Sequence, residues 1–305
     1  MKIAIVGAGA MGSLYGGLLR EAGANVRLLD IWQAHVDAIN ERGLTIESEK
    51  GKRMVRIPAV TQAEAIGAVD LAIIFVKSTV TEAAAETSAG LVGKTGMVLT
   101  LQNGLGNAEI IAGHIDGNRV LAGTTAQGAT LLGPGVIRHA GTGLTRIGLW
   151  SGASPAAARP VCELFNAAGI ETELIDDIKP LIWNKLLVNV GINAITALTG
   201  IKNGEILDRE DTRALCRMAI EEAETLARAL GIDVMDNAVA HVFDIARATG
   251  TNRSSMGQDV DNRRLTEIRM INGKVAQLAG ERGIPAPANF VLSALIETLQ
   301  AHYRS

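Results

Sequence analysis

The stretch KIAIVGAGAMG, residues 2–12, decides the fold. An apolar run from Lys2 to Val6 leads straight into Gly7, Gly9 and Gly12, spaced G-x-G-x-x-G, and a helical pattern follows from Met11 to Ala22. A strand that meets such a turn and then opens a helix is the start of a βαβ unit made to receive a pyrophosphate. The first glycine permits the tight turn, the second lets the backbone approach the phosphates, and the third lets helix and strand pack closely. The free N–H groups and positive dipole end of the helix then face the anion. The whole run Gly7, Ala8, Gly9, Ala10, Met11 and Gly12 is therefore assigned to dinucleotide binding. A glycine-rich turn serving packing alone is the competing reading, and the strand context weighs against it.

Working outward, NVRLL (25–29) reads as a second strand, Gln33–Glu41 as a helix, and LAIIFV (71–76), MVLTL (97–101) and RVLAGTTAQ as further strands, with a helix over TVTEAAAETSAG. This alternation implies α/β architecture, a Rossmann-type doubly wound parallel sheet. GPGVIRHAGTGLTRIGL (133–149) reads as a hairpin-like interruption, Pro155–Ala168 as a helix and IETELI as a closing strand. After Asp176 no convincing strand follows. Helical patterns cover 178–199, 211–230, 235–248, 257–282 and 287–303. The expected division is a dinucleotide-binding domain over 1–176 and an all-α C-terminal domain over 177–305 that carries substrate and catalytic groups.

Composition agrees with this division. The chain of 305 residues is 48% hydrophobic and 20% charged, enough for two cores and unlike a disordered segment. Its net charge of -3 and lack of a Lys/Arg run argue against a nucleic-acid partner. No uninterrupted apolar stretch reaches ~18 residues, so no membrane span is expected. The glycines make the N-terminus a poor signal peptide. Cys162 and Cys216 have neither CxxC spacing nor a nearby histidine, which points to a reducing, cytoplasmic setting. The histidines, His35, His114, His139, His241 and His302, have no ligand spacing, so no metal site is expected. Apolar positions Leu215, Met218, Leu226 and Leu230 suit either an internal core or a homodimer.

Asp30 ends the second strand, where a carboxylate accepts both ribose hydroxyls of NAD and repels a 2′-phosphate; no arginine follows it closely. Lys77 and Asn103 end two later strands, at the carboxyl edge where open α/β sheets bind ligands. Lys77 suits cofactor phosphate or ribose oxygens, and Asn103 suits ribose or substrate.

In the helical half, WNKLLVNVGINAITAL (183–198) places Lys185, Asn189 and Asn193 four apart among aliphatic residues. Such residues drift only about 40° per step and form one stripe. Exposed stripes favour Glu, Lys or Arg over Asn, so this one reads as a cavity wall offering hydrogen bonds. On a helical wheel Glu267 falls beside Val260, Ile271 and Leu278, where a buried carboxylate needs a partner. A lysine across a cavity is one candidate, and a structural pair with Arg263, Arg264 or Lys274 is the other. Ser254 and Ser255 stand where either could cap the helix.

Together GAGAMG, FVKS, QNG, WNKLLVN, KNGE, SSMGQD and TEIRMING resemble the ketopantoate reductase (2-dehydropantoate 2-reductase) family, in order along nearly the whole chain. The resemblance implies reduction of ketopantoate to pantoate, a step of pantothenate and coenzyme A biosynthesis, with NADP as cofactor. It also implies roles. Gly7 to Gly12, Lys77, Asn103 and Gly128 would contact cofactor. Lys185 would donate the proton. Asn103, Asn189, Asn193, Asn203 and Ser255 would hold substrate, and Glu267 would lie near both the nicotinamide and Lys185. The family's usual arginine after the second strand is replaced here by LLDIWQ, and Asp30 makes NAD the alternative cofactor. Two other readings compete. One is an NAD-dependent D-2-hydroxyacid dehydrogenase for bulky apolar 2-oxo acids. The other is a nucleotide-binding regulator without chemistry, which would not need Lys185 and Glu267.

Overall fold

The computed structural model describes residues 1–151 and 155–304. The chain divides into two compact units: Met1–Gln102 with Asn107–Ile178, and Asn103–Gly106 with Lys179–Ser305. The division is thus not a single cut near 176, because a short strip just after the strand that ends at Thr100 groups with the helices.

The first unit begins β1 (Lys2–Val6), α1 (Ala10–Glu21), β2 (Asn25–Leu29), α2 (Gln33–Arg42), β3 (Leu44–Ser48), β4 (Gly51–Val55) and β5 (Ala59–Val60). It continues with β6 (Leu71–Ile74), α3 (Thr81–Val92), β7 (Met97–Thr100), α4 (Asn107–Ala112) and β8 (Val120–Thr125). β9 (Gly128–Gly133), β10 (Val136–Gly141), β11 (Thr145–Leu149), α5 (Arg159–Ala167) and β12 (Thr172–Leu174) complete it. The main sheet has the order β12-β11-β8-β7-β6-β1-β2-β5. The chain winds outward from β1 to β2 and β5, then returns to β6 and winds the other way. The switch between β1 and β6 is where open α/β sheets form a ligand crevice. Val6 is in register with Leu29 on one side and Ile74 on the other, so the turns that follow these strands begin at one level.

The expected sheet is corrected in two places. The pairing is parallel from β5 to β8, but β11 runs antiparallel to β8 and β12 runs with β11. Residues 133–149 also do not form a hairpin with each other. β10 pairs with β9 and β3 in a second, four-stranded sheet, while β11 joins the main one. Glycine-rich composition signals the turns here, but strand pairing is set by distant partners that local pattern does not reveal.

The second unit contains α6 (Ile178–Thr199), α7 (Glu210–Ala229), α8 (Ala238–Ala248), α9 (Ser255–Asp261), α10 (Asn272–Gly280) and α11 (Pro287–Ala301). α6 is its axis. Leu186, Leu187, Val190 and Ile195 are buried with Cys216 and Ile220 of α7 and with Leu292 and Ile296 of α11. Each such aliphatic side chain contributes about 1.5–3 kcal/mol on burial. By length and composition α6 could cross a bilayer, with mean hydropathy 1.4, but 61% of that window is buried inside the protein. On α7, Leu226 is buried and Leu215 and Leu230 pack against the same core, whereas Met218 is exposed.

The helix expected over 257–282 is two helices. α9 ends in a Schellman arrangement: Arg263 takes φ +52, its N–H donates to Val260 O at 3.0 Å, and Arg264 N–H donates to Asp259 O at 2.8 Å. The usual glycine is absent at that left-handed position, so the sequence carries no visible stop. The irregular segment then runs to a short 3-10 turn at Ile268–Met270.

Candidate active site

In the first unit the turn after β1 has the geometry that its glycines imply. Gly7 takes φ +92, and a Cβ there would meet Val76 Cγ1 at 2.7 Å. A Cβ on Gly12 would lie 1.9 Å from Gly7 O, while one on Gly9 would meet nothing within 4 Å. Gly7 and Gly12 are therefore fixed by the protein's own packing, and Gly9 leaves open space where a ligand backbone approach is needed. α1 starts at Ala10 with no side-chain cap, so its first N–H groups remain available to an anion.

Asp30 does more than its position suggests. Its Oδ2 accepts from Ala8 N–H at 2.8 Å and its Oδ1 from Trp32 N–H at 2.9 Å. The carboxylate is held in one orientation by the glycine turn itself, and each oxygen retains a second acceptor site for a ribose hydroxyl. Ile31 and Trp32 beside it are exposed. Lys77 is exposed just past β6, before the short 3-10 turn Ser78–Val80. Gly128 opens β9 at the edge of the second sheet.

Sequence reasoning missed a supporting relay behind that turn. His35 is buried, and its Nδ1 accepts from Gly135 N–H at 3.0 Å, which leaves the ring proton on Nε2. Nε2 lies 3.3 Å from Ser13 Oγ, and Ser13 Oγ–H donates to Ala8 O at 2.7 Å. Ala8 is thus gripped on both sides of its peptide. Burial pushes the His35 pKa below its ordinary value, against the opposing charge of Asp30. Nothing in the spacing of Ser13, His35 and Gly135 signals this relay, because it joins three separate elements.

In the second unit α6 presents Lys185, Asn189 and Asn193 on one stripe. Lys185 is partly buried, and desolvation lowers its pKa to about 8 even though the Glu267 charge opposes that shift. At pH 7 roughly ten ammonium forms then stand for each neutral amine, so the group can both give and retake a proton. Asn189 Nδ2 is buried with no hydrogen-bond partner. Asn203 is also buried; its Nδ2 donates to Thr249 Oγ1 at 3.0 Å, and its Oδ1 has no partner. Orphan buried amide atoms are costly, and a bound ligand is one way to complete their bonding. Asn193 is also buried.

The two serines divide their tasks. Ser254 is buried and caps α9, accepting from Gly257 N–H at 3.0 Å and from Thr196 Oγ–H at 2.7 Å. Ser255 is exposed at the first helical position.

Glu267 is not on a helix face, so it does not share one with Val260, Ile271 and Leu278 as expected. It lies in the irregular segment between α9 and α10, where Asn103 Nδ2 donates to its Oε2 at 3.4 Å. Asn103 belongs to the strip 103–106 that groups with the helices. That strip is seated by Leu105 N–H donating to Met270 O at 2.8 Å, and a Cβ on Gly104 would lie 2.2 Å from Met270 O. Lys185, Glu267 and Asn103 therefore form one cluster: an acid with a pKa of about 8, a carboxylate that supports its charge, and an amide that orients the carboxylate. The preceding Gln102 ends the first unit's strand edge, donating to Val76 O at 2.8 Å and Thr81 Oγ1 at 2.9 Å. Among the described residues no group of three or more His, Cys, Asp or Glu could hold a metal ion.

Comparison with known proteins agrees across the whole length. The profile described as Ketopantoate reductase PanE/ApbA matches residues 3–152, and its C-terminal counterpart matches 177–300. A 2-dehydropantoate 2-reductase of Pyrococcus horikoshii is 38% identical, over 99% of this chain and 98% of its own. One from Halobacterium salinarum is 36% identical, over 98% and 99%. Among solved structures, D-mandelate dehydrogenase with NADH and anilino(oxo)acetate superposes with a TM-score of 0.93 at 29% identity, covering 100% of both chains. A PanE/ApbA family ketopantoate reductase from Ralstonia eutropha JMP134 gives 0.92 at 33% identity, again over 100% of both. With both halves matched and the helical cluster in place, the chain belongs to the ketopantoate reductase family of oxidoreductases.

Proposed function

We propose that the protein reduces the C2 carbonyl of ketopantoate to give pantoate, and that Lys185 is its general acid. The observation that carries this reading is a lysine with a pKa near 8, supported by Glu267 and set in a row with an unsatisfied buried amide on Asn189. The residues of the first unit fit a nicotinamide dinucleotide: an open Gly9, an uncapped helix start and an anchored Asp30. When bound, that cofactor supplies a hydride to the substrate carbon.

The chain's own residues manage charge and position. Negative charge builds on the carbonyl oxygen as the carbon is reduced. Lys185 hydrogen-bonds that oxygen and passes its proton to it. Glu267 keeps the amine charged until then, and Asn103 holds the Glu267 carboxylate. Asn189, Asn193, Asn203 and Ser255 supply neutral hydrogen bonds to the substrate carboxylate and its distal hydroxyl. Lys77 and Gly128 belong to the cofactor side in this reading, and Lys185 and Glu267 form its catalytic pair. Two free cysteines support a cytoplasmic setting, and the exposed Met218 of α7 is the position that supports a homodimer.

Cofactor choice favours NADH over NADPH in this reading, because Asp30 is fixed at the ribose end without a neighbouring arginine. The same feature supports a second reading, an NADH-linked D-2-hydroxyacid dehydrogenase for bulky 2-oxo acids, given the fold shared with D-mandelate dehydrogenase. A panel of 2-oxo acids assayed with each nicotinamide separates them. Ketopantoate turning over with the highest kcat/KM supports the first. Branched or aromatic oxo acids winning by tenfold or so would replace it with the second. No loss of nicotinamide absorbance with any substrate would favour a non-catalytic dinucleotide binder.

A further inference from the structure

We infer that Gln300, at the end of α11, is a positioning residue that holds Glu267 against Lys185. The inference rests on the Lys185–Glu267 pairing above and adds a residue that no motif contains. Glu267 lies between α9 and α10, where no α-helical ladder runs through it and its carbonyl oxygen accepts from Met270 N–H at 3.0 Å in the short 3-10 turn. Asn103 bonds the carboxylate itself, and the backbone that carries it needs its own seat.

Two buried amides of α11 provide it. Gln300 Oε1 accepts both the N–H and the Oγ–H of Thr266, each at 3.0 Å, and Thr266 directly precedes Glu267. Both side chains are buried, at 6% and 1% exposure. Beyond Glu267, the fully buried Asn272 donates to Asn289 Oδ1 at 3.0 Å and to Val190 O of α6 at 3.1 Å. Asn289 is itself fixed, donating to Ala219 O at 2.9 Å and Glu222 Oε2 at 2.8 Å. Asn289 and Gln300 share the buried face of α11 with Leu292 and Ile296, about three helical turns apart. An apolar face with an amide at each end thus grips residues 266 and 272, and Glu267 lies between the grips. Gln300 is the nearer and acts on the adjacent peptide.

A purely structural amide would affect stability alone. A positioning amide also changes the charge that Lys185 feels. If Gln300→Leu frees Thr266, Glu267 recedes and its support of the ammonium weakens. Lys185 then loses its proton at lower pH. The basic limb of the kcat/KM profile for reduction should move down by about half to one pH unit, the change expected when a charge pair lengthens by an ångström or two. Thr266→Val, which keeps the backbone bond but loses the hydroxyl, should move it partway, and Thr266→Ser should restore it. Should Gln300→Leu fail to fold, the two Thr266 variants carry the test.

Glu267→Gln gives the reference. It should shift the limb by itself, and adding Gln300→Leu to it should shift the limb no further. If Glu267→Gln moves the limb while Gln300→Leu and Thr266→Val lower only the melting temperature, Gln300 is structural and the inference is wrong. If Glu267→Gln leaves the limb in place, the pairing with Lys185 is what fails, and the inference falls with it.

Discussion

Replacing Lys185 with alanine tests the chemistry most directly. The amine is the group with a pKa of about 8 in the helical cluster, held there by desolvation against the support of Glu267. A positioned general acid contributes roughly 10²–10⁴-fold, or about 3–5 kcal/mol of barrier. Lys185→Ala should therefore lower kcat for reduction by that factor. The melting temperature of the variant checks that it is folded before its rate is compared. The cofactor dissociation constant, followed by nicotinamide fluorescence, should stay within a few-fold, because the phosphate turn lies in the other unit.

The pH dependence gives the sign. Reduction uses the ammonium, so its rate should fall as pH rises through about 8. Oxidation of the hydroxy acid uses the neutral amine and should rise across the same window. The variant should lose both limbs, and a small primary amine in the buffer should restore part of the rate. A folded Lys185→Ala enzyme that turns over within a few-fold of the parent would refute the assignment.

Other outcomes follow from the same geometry. Asp30→Asn keeps an acceptor for the glycine turn but removes the charge; the NADPH share of kcat/KM should rise at least about fivefold, the factor matching ~1 kcal/mol of repulsion in water, and an unchanged ratio counts against Asp30 reading the ribose. Asn189→Leu removes an unsatisfied buried amide, so thermal stability should hold or rise while kcat/KM falls about 10- to 100-fold; unchanged kinetics would free Asn189 from the substrate. Ser254→Ala should cost roughly 0.5–2 kcal/mol by loss of the α9 cap, seen as a lower melting temperature; an unchanged value would mean the cap is redundant. Gly12→Ala places a methyl against Gly7 O, so cofactor titration should show affinity weakened well beyond tenfold, and retained affinity would contradict the close packing seen here.

Much of this was legible where short-range pattern and structure coincide. β1, β2 and α6 have the limits that their apolar patterns imply, and the glycine turn marks its own crevice. Lys185 stood out because an ammonium and two amides interrupt an aliphatic helix. Glu267 was singled out by a helix that is broken, so its place beside Lys185 owes nothing to that wheel. The break itself was hidden because Arg263 adopts a conformation usually left to glycine. The second sheet, the Ser13–His35 relay and the Gln300 grip depend on partners far away in sequence. Their bonds belong to tertiary geometry, which no local spacing encodes.

The strip Asn103–Gly106 has a practical outcome for anyone who dissects or recombines this enzyme. Leu105 fills the hydrophobic interior of the helical half, although it is encoded in the middle of the other half. A fragment expressed from 179 onward would carry an unfilled hole at that point and tend to aggregate. Chimaeras that exchange helical halves between relatives would need to exchange these four codons as well.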